Sequence, residues 1–491
     1  MEKNKKSLIE IPKESKELCI NAFKDNILNN YNFENLCKLS STGQLGQMHL
    51  RGMVWKIFFG VLPYDESIEK WKEKLIYLRT KYKILSDKIT KQQNYFDEED
   101  KKQSAYNNDV KTSILKNNSI IFNPFRPEKE TRNLINLDLK RTFQELALFK
   151  DENIKNKIHH ILFLWSVENP DYGYQQGMND IVSIIFLALY PYYFENNLNE
   201  NNIKVDTAEE LYLFFNNENE LYSDLYICFN EVMKKGFTQF YENLFDSKEE
   251  QDEYIKKICL FPEEIKDIKD INEDISVPLL IRCSLIIKEK LKILDYDLYS
   301  YFDKIGLNCT IFLQRWLKCA FNREFKLNDV LIIWDAIFSS KGIKEEYELF
   351  KMDLITLSMI LRLRNFLFLC DQSQCFMIFL QPQNIDNILE LIIFSDKLND
   401  AIKDILSGKR SIFLENITTF SLNANIKGNN QILNKNSGNE FNDNQSHISP
   451  IKNYEEGIER LGKIFNKYNS LMDINDQKEF INIIHFFNNY K

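Results

Sequence analysis

The chain has 491 residues, more than a single hydrophobic core usually serves, so we expect two lobes or domains. Its hydrophobic fraction of 44%, with 37 Phe and 23 Tyr, excludes a wholly disordered protein. The 72 Asp and Glu against 63 Lys and Arg give a net charge of -9, which argues against nucleic acid as the main partner because phosphate binding needs a basic surface.

Cysteine usage and the apolar runs indicate a location inside the cell. The nine cysteines are scattered without a CxxC pair, so we interpret most of them as small buried hydrophobes in a reducing compartment. The N-terminus, MEKNKKSLIEIPKESKEL, lacks the apolar run of a secretory signal. The longest apolar stretch, at 181–190, is about half the length that spans a bilayer. We expect a cytoplasmic protein that reaches membranes only through partners.

Helical periodicity dominates the chain. In ENIKNKIHHILFLW the apolar positions form one stripe, and Pro170 should end that helix. IFLQRWLKCAF, at 311–321, and DVLIIWDAIF, at 329–338, repeat the spacing, with Asn328 or Asp329 as the cap of the second helix. Since no hairpin signal interrupts these patterns, we predict an all-α fold of many helices.

Composition divides the chain into four parts. We expect an N-terminal extension at 1–44, a folded body at 45–405, a low-complexity linker at 406–453 and C-terminal amphipathic helices at 454–491. The linker is too poor in aliphatic and aromatic residues to fold, and the two short helices need the body or a partner to pack on. A polar stretch at about 86–123 is interpreted as an insertion or mobile loop within the body.

The first motif, LRGMVWKIFFGVLP, predicts a structural anchor. Arg51 and Trp55 lie four residues apart and share one helix face, and Gly60 with Pro63 should end the helix. An arginine whose stem covers a tryptophan usually fixes a helix to the core, so we assign this pair a structural role.

The second motif, LINLDLKRTF, places Asp138 and Arg141 on one helical turn, where a carboxylate can hold a guanidinium in one orientation. One interpretation is a solvated surface pair. The other is that Asp138 aims an arginine at a phosphate, because the planar guanidinium suits phosphoryl oxygens better than lysine does.

The third motif, DYGYQQGMND, predicts a loop that enters a helix at about Asp180. Gly173 and Gly177 permit positive φ or close backbone approach. The adjacent amides of Gln175 and Gln176 could simply satisfy loop backbone groups. Alternatively, one of them orients a water molecule against a phosphoryl group, since an amide donates and accepts at once.

Other nucleotide and metal motifs are missing from the sequence. GxxxxGK[ST], HExxH and GxSxG do not occur, so we expect no P-loop and no cofactor of the chain's own. His159 and His160 are adjacent and point to different sides of their helix, which favours structural roles over a metal site.

Together, LRxxxW, IxxDxxR, YxQGMND and RWLxxxFxxEFxLxDVLxxWDxxF resemble the TBC domain of Rab GTPase-activating proteins over roughly residues 50–400. The chain looks most like the branch with a long insertion after the first motif, which includes the retromer-associated member. The resemblance implies a two-lobed, multi-helix domain, and it adds three motif residues to the structural pair Arg51 and Trp55, namely Trp316, Trp334 and Asp335.

The resemblance also implies a mechanism with two residues supplied in trans. Arg141 occupies the arginine-finger position and Gln176 the glutamine-finger position, while magnesium and GTP would belong to the partner GTPase. The resemblance further implies four supporting residues. Asp138 would hold Arg141, and Tyr174 would brace the loop that carries Gln176. Gly177 would let that loop turn, and Asn179 would tie it to its helix.

The expected partner is a Rab-family GTPase in its GTP-bound form, with a retromer-like or other trafficking complex as a further candidate at endosomal or other vesicular membranes. The main alternative is a catalytically silent helical scaffold that binds a Rab or a coat complex. The presence of both fingers favours the activator. An independent hydrolase built on Asp138 or His159 finds no nucleophile–base pair in the sequence.

Overall fold

The structure is a computed structural model that describes residues 8–109, 126–195, 207–242, 245, 247–260, 277–339, 349–383 and 385–409, with side chains described except at 92–109 and 126–128. All of these residues belong to one compact unit that ends at Asn425. The expected linker beyond residue 409 and the expected C-terminal helices at 454–491 lie outside the described residues.

The described residues form α-helices joined by short turns. The helices are α1 Lys16–Phe23, α2 Phe33–Ser41, α3 Arg51–Phe58, α4 Ile68–Asp109, α5 Arg126–Arg141, α6 Glu152–Glu168, α7 Met178–Leu189, α8 Ala208–Phe215, α9 Leu221–Lys234, α10 Lys248–Ile258, α11 Pro278–Leu285, α12 Lys292–Leu294, α13 Tyr296–Lys304, α14 Thr310–Lys318, α15 Leu327–Ser339, α16 Phe350–Leu361, α17 Arg364–Leu367, α18 Gln372–Leu380 and α19 Ile388–Leu406. Two π-helical segments, Lys24–Asn29 and Ile286–Leu291, extend α1 and join α11 to α12. Extended pairing in the described part of the chain is limited to isolated bridges, Ile9 with Leu146 and Phe194 with Asn217, which confirms the all-α prediction.

The N-terminal residues pack onto the body. In α1, Cys19 and Phe23 are buried, and the Phe23 ring lies edge-on to Tyr212 of α8 at 5.7 Å. The second helix, α2, is capped by Asn32 and packs against α15. The expected extension at 1–44 therefore contributes helices to the compact unit.

We call helices α3–α9 the N-terminal lobe. Every residue of α7 is buried, and this helix packs against α3, α5, α6 and α9. Helix α6 begins after its cap Asp151 and ends at Glu168, before Pro170, as its periodicity predicts. At the centre of this lobe, Asp224 accepts from Lys56, Arg79 and Tyr193. Burial alone would raise the pKa of Asp224, but the charges of Arg79 and Lys56 outweigh it and lower the pKa to about 2.

The C-terminal lobe comprises α10–α14 and α16–α19. Trp316 of α14 is fully buried, and its indole N–H donates to the Phe379 carbonyl of α18 at 3.3 Å. Helix α15 joins the lobes, since it packs on α2 and α3 as well as on α16 and α19. There the rings of Trp55 and Trp334 stack 5.6 Å apart, a geometry that contributes about 0.5–1.5 kcal/mol beyond burial.

Three sequence predictions about element bounds are wrong. The polar stretch from residue 86 is helical through Asp109 because α4 contains neither Gly nor Pro and is rich in good helix formers; the rest of the predicted insertion, at 110–123, lies outside the described residues. The helix predicted to run to Phe321 ends at Lys318, because the next turn takes positive φ. Helix α15 begins at Leu327, before its predicted cap. Helix α7 begins at Met178, within two residues of the expected start at about Asp180.

Among the described residues, none of the helices combines the length and the apolar composition that a membrane span requires.

Candidate functional site

Arg141 is the last residue of α5, where the negative end of the helix dipole favours a cation. Its Nη2 donates to Asp138 Oδ1 at 2.5 Å, one turn earlier on the same helix. The Arg141 side chain is 27% exposed, whereas that of Asp138 is only 9% exposed. The guanidinium is thus held at the surface by a carboxylate that is itself fixed inside the protein.

Asp138 also reaches the loop that contains the two glutamines. Its second oxygen accepts from the Tyr174 hydroxyl at 2.6 Å. Burial raises the pKa of Tyr174 well above its ordinary value, and the neighbouring Asp138 charge raises it further, so the phenol stays protonated and remains the donor. A chain of two hydrogen bonds therefore links Arg141 to a residue two positions before Gln176.

A second connection between helix and loop passes through Asn179 and Thr142. The Asn179 amide N–H donates to Thr142 Oγ1 at 2.9 Å, and the Thr142 hydroxyl donates to the Asp138 carbonyl at 2.8 Å. Asn179 Oδ1 accepts the Gly177 N–H at 3.0 Å, so Asn179 closes the loop on itself as well. Thr142 was not singled out by the sequence analysis, because a threonine after a helix carries no distinctive signal.

The two adjacent glutamines have different environments. The side chain of Gln175 turns inward, where its N–H donates to the Tyr241 carbonyl and its Oε1 accepts from Lys318 Nζ at 3.2 Å. Gln176 is exposed, and no hydrogen bond joins its side chain to another residue of the described part of the chain. One amide fastens the loop, and the other is available to a binding partner.

Gly177 is the residue before α7, with φ of 109°. A Cβ at this position would lie 3.0 Å from the Lys318 carbonyl oxygen and 3.1 Å from the Tyr241 hydroxyl. Both the backbone conformation and the lack of space therefore require glycine, as only glycine adopts such φ without strain.

The loop is also held by residues that the sequence analysis did not assign to the site. Asn322 donates to Asp180 Oδ1 at 3.0 Å, and Arg323 Nη2 donates to Asp180 Oδ2 at 3.0 Å. Asp180 stands in the motif YxQGMND, and Arg323 lies at an unspecified position of the motif RWLxxxFxxEF. Nothing in a single sequence pairs two residues so far apart, so only the fold reveals this contact.

Four of the five predicted structural residues lie at the junction of α3 and α15, namely Arg51, Trp55, Trp334 and Asp335; Trp316 lies on α14 instead. The Arg51 guanidinium donates to both oxygens of Asp335, and the Trp55 indole donates to Asp335 Oδ1 at 2.7 Å. Trp55, Trp334 and Asp335 are fully buried. This cluster fastens one helix to another and takes no part in the surface that carries Arg141 and Gln176.

The two adjacent histidines make separate local contacts. His159 Nε2 lies 3.2 Å from the Arg132 carbonyl, and His160 Nε2 lies 2.8 Å from Ser86 Oγ. Among the residues that the structure describes, no three His, Cys, Asp or Glu side chains are grouped to hold a metal.

The site as a whole offers a fixed cation and an outward amide on neighbouring segments. No nucleophile with an activating base lies beside these two groups among the contacts described above. Such a pair is suited to stabilising charge and orienting a water molecule on a phosphoryl group that another molecule brings.

The Rab-GTPase-TBC domain family matches residues 48–267 and 265–368, well over half of the chain. The protein therefore belongs to the RabGAP-TBC family. The match includes both segments of the site and the junction of α3 with α15.

Curated relatives agree with this assignment. The chain is 26% identical over 359 residues to TBC1 domain family member 5 of Mus musculus; the aligned region covers 73% of this chain and 41% of that relative. It is 22% identical over 336 residues to GTPase-activating protein GYP1 of Saccharomyces cerevisiae, which spans 67% of this chain and 42% of that protein. The chain thus spans less than half the length of these relatives.

A solved structure, that of the Ypt/Rab-GAP domain of Gyp1p, superposes with a TM-score of 0.52 at 17% identity and covers 79% of this chain and 99% of that domain. The two share a fold.

Proposed function

We propose that this protein accelerates GTP hydrolysis by a Rab-family GTPase, with Arg141 as an arginine finger and Gln176 as a glutamine finger supplied in trans. Family membership supports the choice of partner. The observation that carries the chemistry is the hydrogen-bond chain from Arg141 through Asp138 to Tyr174, which joins the arginine to the loop that exposes Gln176.

Arg141 would neutralise the charge that develops between the β and γ phosphates of the partner's GTP. An arginine supplied in trans increases the rate by roughly 10³–10⁵, or about 4–7 kcal/mol of transition-state stabilisation. A surface ion pair contributes at most about 1 kcal/mol. The role therefore predicts that removing Arg141 abolishes activation while the fold stays nearly intact.

Gln176 would orient the attacking water in place of the GTPase's own glutamine. A carboxamide can accept a hydrogen bond from the water and donate one to another oxygen at the same time, and it needs no shifted pKa to do so. The inward fastening of Gln175 and the glycine conformation at Gly177 leave Gln176 as the amide available for this role. Magnesium and the nucleotide would come with the partner.

The proposal is tested by single-turnover hydrolysis across a panel of GTP-loaded Rab proteins, with the full chain in excess. We expect strong acceleration of at least one Rab, and loss of most of that acceleration in Arg141→Ala, Arg141→Lys and Gln176→Ala. Lysine should fail because it keeps the charge but loses the planar fork. Gln381→Ala, which changes an exposed glutamine at the end of α18, is the matched control and should retain full activity.

A panel without any accelerated Rab would refute the activator and favour the silent scaffold. Full activity in both Arg141→Ala and Gln176→Ala would refute the two-finger mechanism alone.

The same proposal extends to the setting of the activity. We propose that the protein regulates vesicle traffic, with recruitment to endosomal or other vesicular membranes and a retromer-like or other trafficking complex as a further partner. Imaging of the tagged full chain beside its Rab tests this location; a distribution unchanged by removal of that Rab would contradict recruitment by the GTPase.

A further inference from the structure

The position of Gln176 depends on its neighbours, because its exposed side chain makes no hydrogen bond within the described part of the chain. Orienting a water molecule requires the amide to be held closely, and a displacement of about 1 Å costs on the order of 10²-fold in rate. The loop must therefore be fixed from both sides.

One turn of the C-terminal lobe contacts the loop on both sides of Gln176. Before it, Lys318 Nζ donates to Gln175 Oε1 at 3.2 Å, and the Lys318 carbonyl accepts from the Tyr241 hydroxyl at 2.7 Å. After it, Asn322 and Arg323 donate to the two oxygens of Asp180. The residues from Lys318 to Glu324, which we call the clamp turn, thus hold the segment that contains Gln176.

The clamp turn has an unusual backbone. Ala320 and Phe321 are consecutive non-glycine residues with φ of 44° and 64°, and both are fully buried. Each such conformation costs on the order of 1–3 kcal/mol and persists only where the surroundings impose it. Here the Trp334 indole donates to the Ala320 carbonyl at 3.0 Å, and the Phe321 N–H donates to the Trp316 carbonyl at 2.8 Å.

This conformation directs Asn322 and Arg323 toward the loop. The Asp180 side chain is 6% exposed, and that of Arg323 is 36% exposed. A buried carboxylate that accepts from two donors on a rigid turn has little freedom to move. Asp180 lies in the first turn of α7, so fixing it fixes the start of that helix and the residues just before it.

We propose that Arg323, through its ion pair with Asp180, is a positioning residue for Gln176 and that the clamp turn sets the loop in its active arrangement. This inference rests on the proposed function. The proposal gives the C-terminal lobe a part in the chemistry. That part is not evident from the sequence, because Arg323 lies far along the chain from Arg141 and Gln176. The competing account is that the ion pair only stabilises the fold.

The test is a double-mutant cycle in single-turnover hydrolysis of the Rab that the panel identifies, with the full chain in large excess. Arg323→Gln should lower the maximal rate by roughly 10- to 100-fold with the half-saturating concentration changed by less than about twofold. Arg323→Lys should recover part of the rate, because it restores the charge opposite Asp180. In the Gln176→Ala background the further change Arg323→Gln should cost less than about twofold, since the group that it positions is already missing.

The matched control is Arg364→Gln, which breaks a comparable ion pair with Asp295, whose side chain is 3% exposed, at the start of α13. That control should lower the unfolding temperature and leave the maximal rate unchanged. A second readout needs no turnover: amide hydrogen exchange at Gly177 and Met178 should accelerate in Arg323→Gln and stay unchanged in Arg364→Gln.

An unchanged rate in Arg323→Gln, or an equal loss in the wild-type and Gln176→Ala backgrounds, would overturn the positioning role while the proposed function stands. Unchanged amide exchange at the loop would overturn it as well. Full activity in Gln176→Ala alone would instead refute the glutamine finger, and with it this inference.

Discussion

The Tyr174 hydroxyl lies 2.6 Å from Asp138, whose other carboxylate oxygen holds Arg141. A single aspartate therefore couples the end of α5 to the loop before α7. Since Asp138 is almost fully buried, neither partner can move without loss of a hydrogen bond that water does not readily replace.

Loss of the Tyr174 hydroxyl tests this coupling. Tyr174→Phe removes one donor from Asp138 and frees the loop, so we expect the maximal rate of Rab GTP hydrolysis to fall about tenfold and stability to fall by about 1 kcal/mol. Tyr172→Phe is the control, because Tyr172 lies in the same loop and makes no contact with Asp138 in the structure. Equal rates in the two variants would contradict the coupling.

Gly177→Ala should lower both the stability of the protein and the rate of Rab GTP hydrolysis, because of the backbone conformation at this position. The added Cβ would meet the Lys318 carbonyl at 3.0 Å in a backbone of positive φ. We expect a stability loss of about 1–3 kcal/mol from the strain, and a rate loss on the order of 10²-fold from displacement of Gln176.

The matched control for that change is Gly173→Ala. Gly173 also has positive φ, at 59°, but no atom lies within 4 Å of the position that a Cβ would take. This variant should lose stability and keep most of its activity, as measured by urea unfolding beside single-turnover kinetics. A full rate in Gly177→Ala would show that the loop tolerates displacement.

The junction of α3 and α15 should matter for stability rather than for chemistry. Asp335→Ala leaves the Arg51 guanidinium and the Trp55 indole without their shared acceptor, so we expect a loss of about 3–5 kcal/mol in the free energy of unfolding. Arg141→Ala removes a partly exposed charge and leaves Asp138 its hydrogen bond from Tyr174, so we expect a smaller loss than in Asp335→Ala. Urea unfolding of the two variants checks the contrast; a reversed order would contradict our division of structural from functional residues.

Stability should fall as the pH falls below about 6.5, in part through His159 and His160. Burial lowers the pKa of both histidines from 6.5, and for His160 the nearby Lys157 charge lowers it further. The unfolded chain then binds protons that the folded protein does not, so the stability present above the ordinary pKa is lost as the pH drops.

Urea unfolding at about pH 7.5 and pH 5.5 should show this decrease, and His159→Gln combined with His160→Gln should reduce it. The same pH dependence in both proteins would exclude the histidines as its source. Activation of the Rab should vary little between about pH 6 and 8, because the proposed chemistry uses a guanidinium and an uncharged carboxamide rather than a general acid or base.

Local patterns predicted several of the helices, because burial of one helix face leaves an apolar residue every three or four positions in the sequence. Helix α6 has its cap at Asp151 and its end before Pro170, and it follows that rule throughout. The prediction for the polar stretch within α4 was wrong. A helix that is polar on every face shows no apolar periodicity, although the residues of this stretch favour helix formation.

The site was only partly predictable. Arg141 with Asp138, and the two glutamines with their flanking glycines, are local patterns that the sequence shows, but only the family resemblance assigned roles to Arg141 and Gln176. The clamp turn could not be predicted from the sequence, because Phe321 continues the apolar spacing of α14 although its backbone has positive φ. Contacts such as Arg323 with Asp180 are set by the fold as a whole.

The central claim is that Gln176 replaces the GTPase's own glutamine. The most direct measurement is single-turnover hydrolysis by a cognate Rab whose own water-orienting glutamine is changed to alanine, with the wild-type chain or with Gln176→Ala. We predict strong acceleration by the wild-type chain and almost none by the variant. No acceleration by either protein, with normal binding of the altered Rab, would contradict the claim, because the water would then be oriented by the GTPase itself.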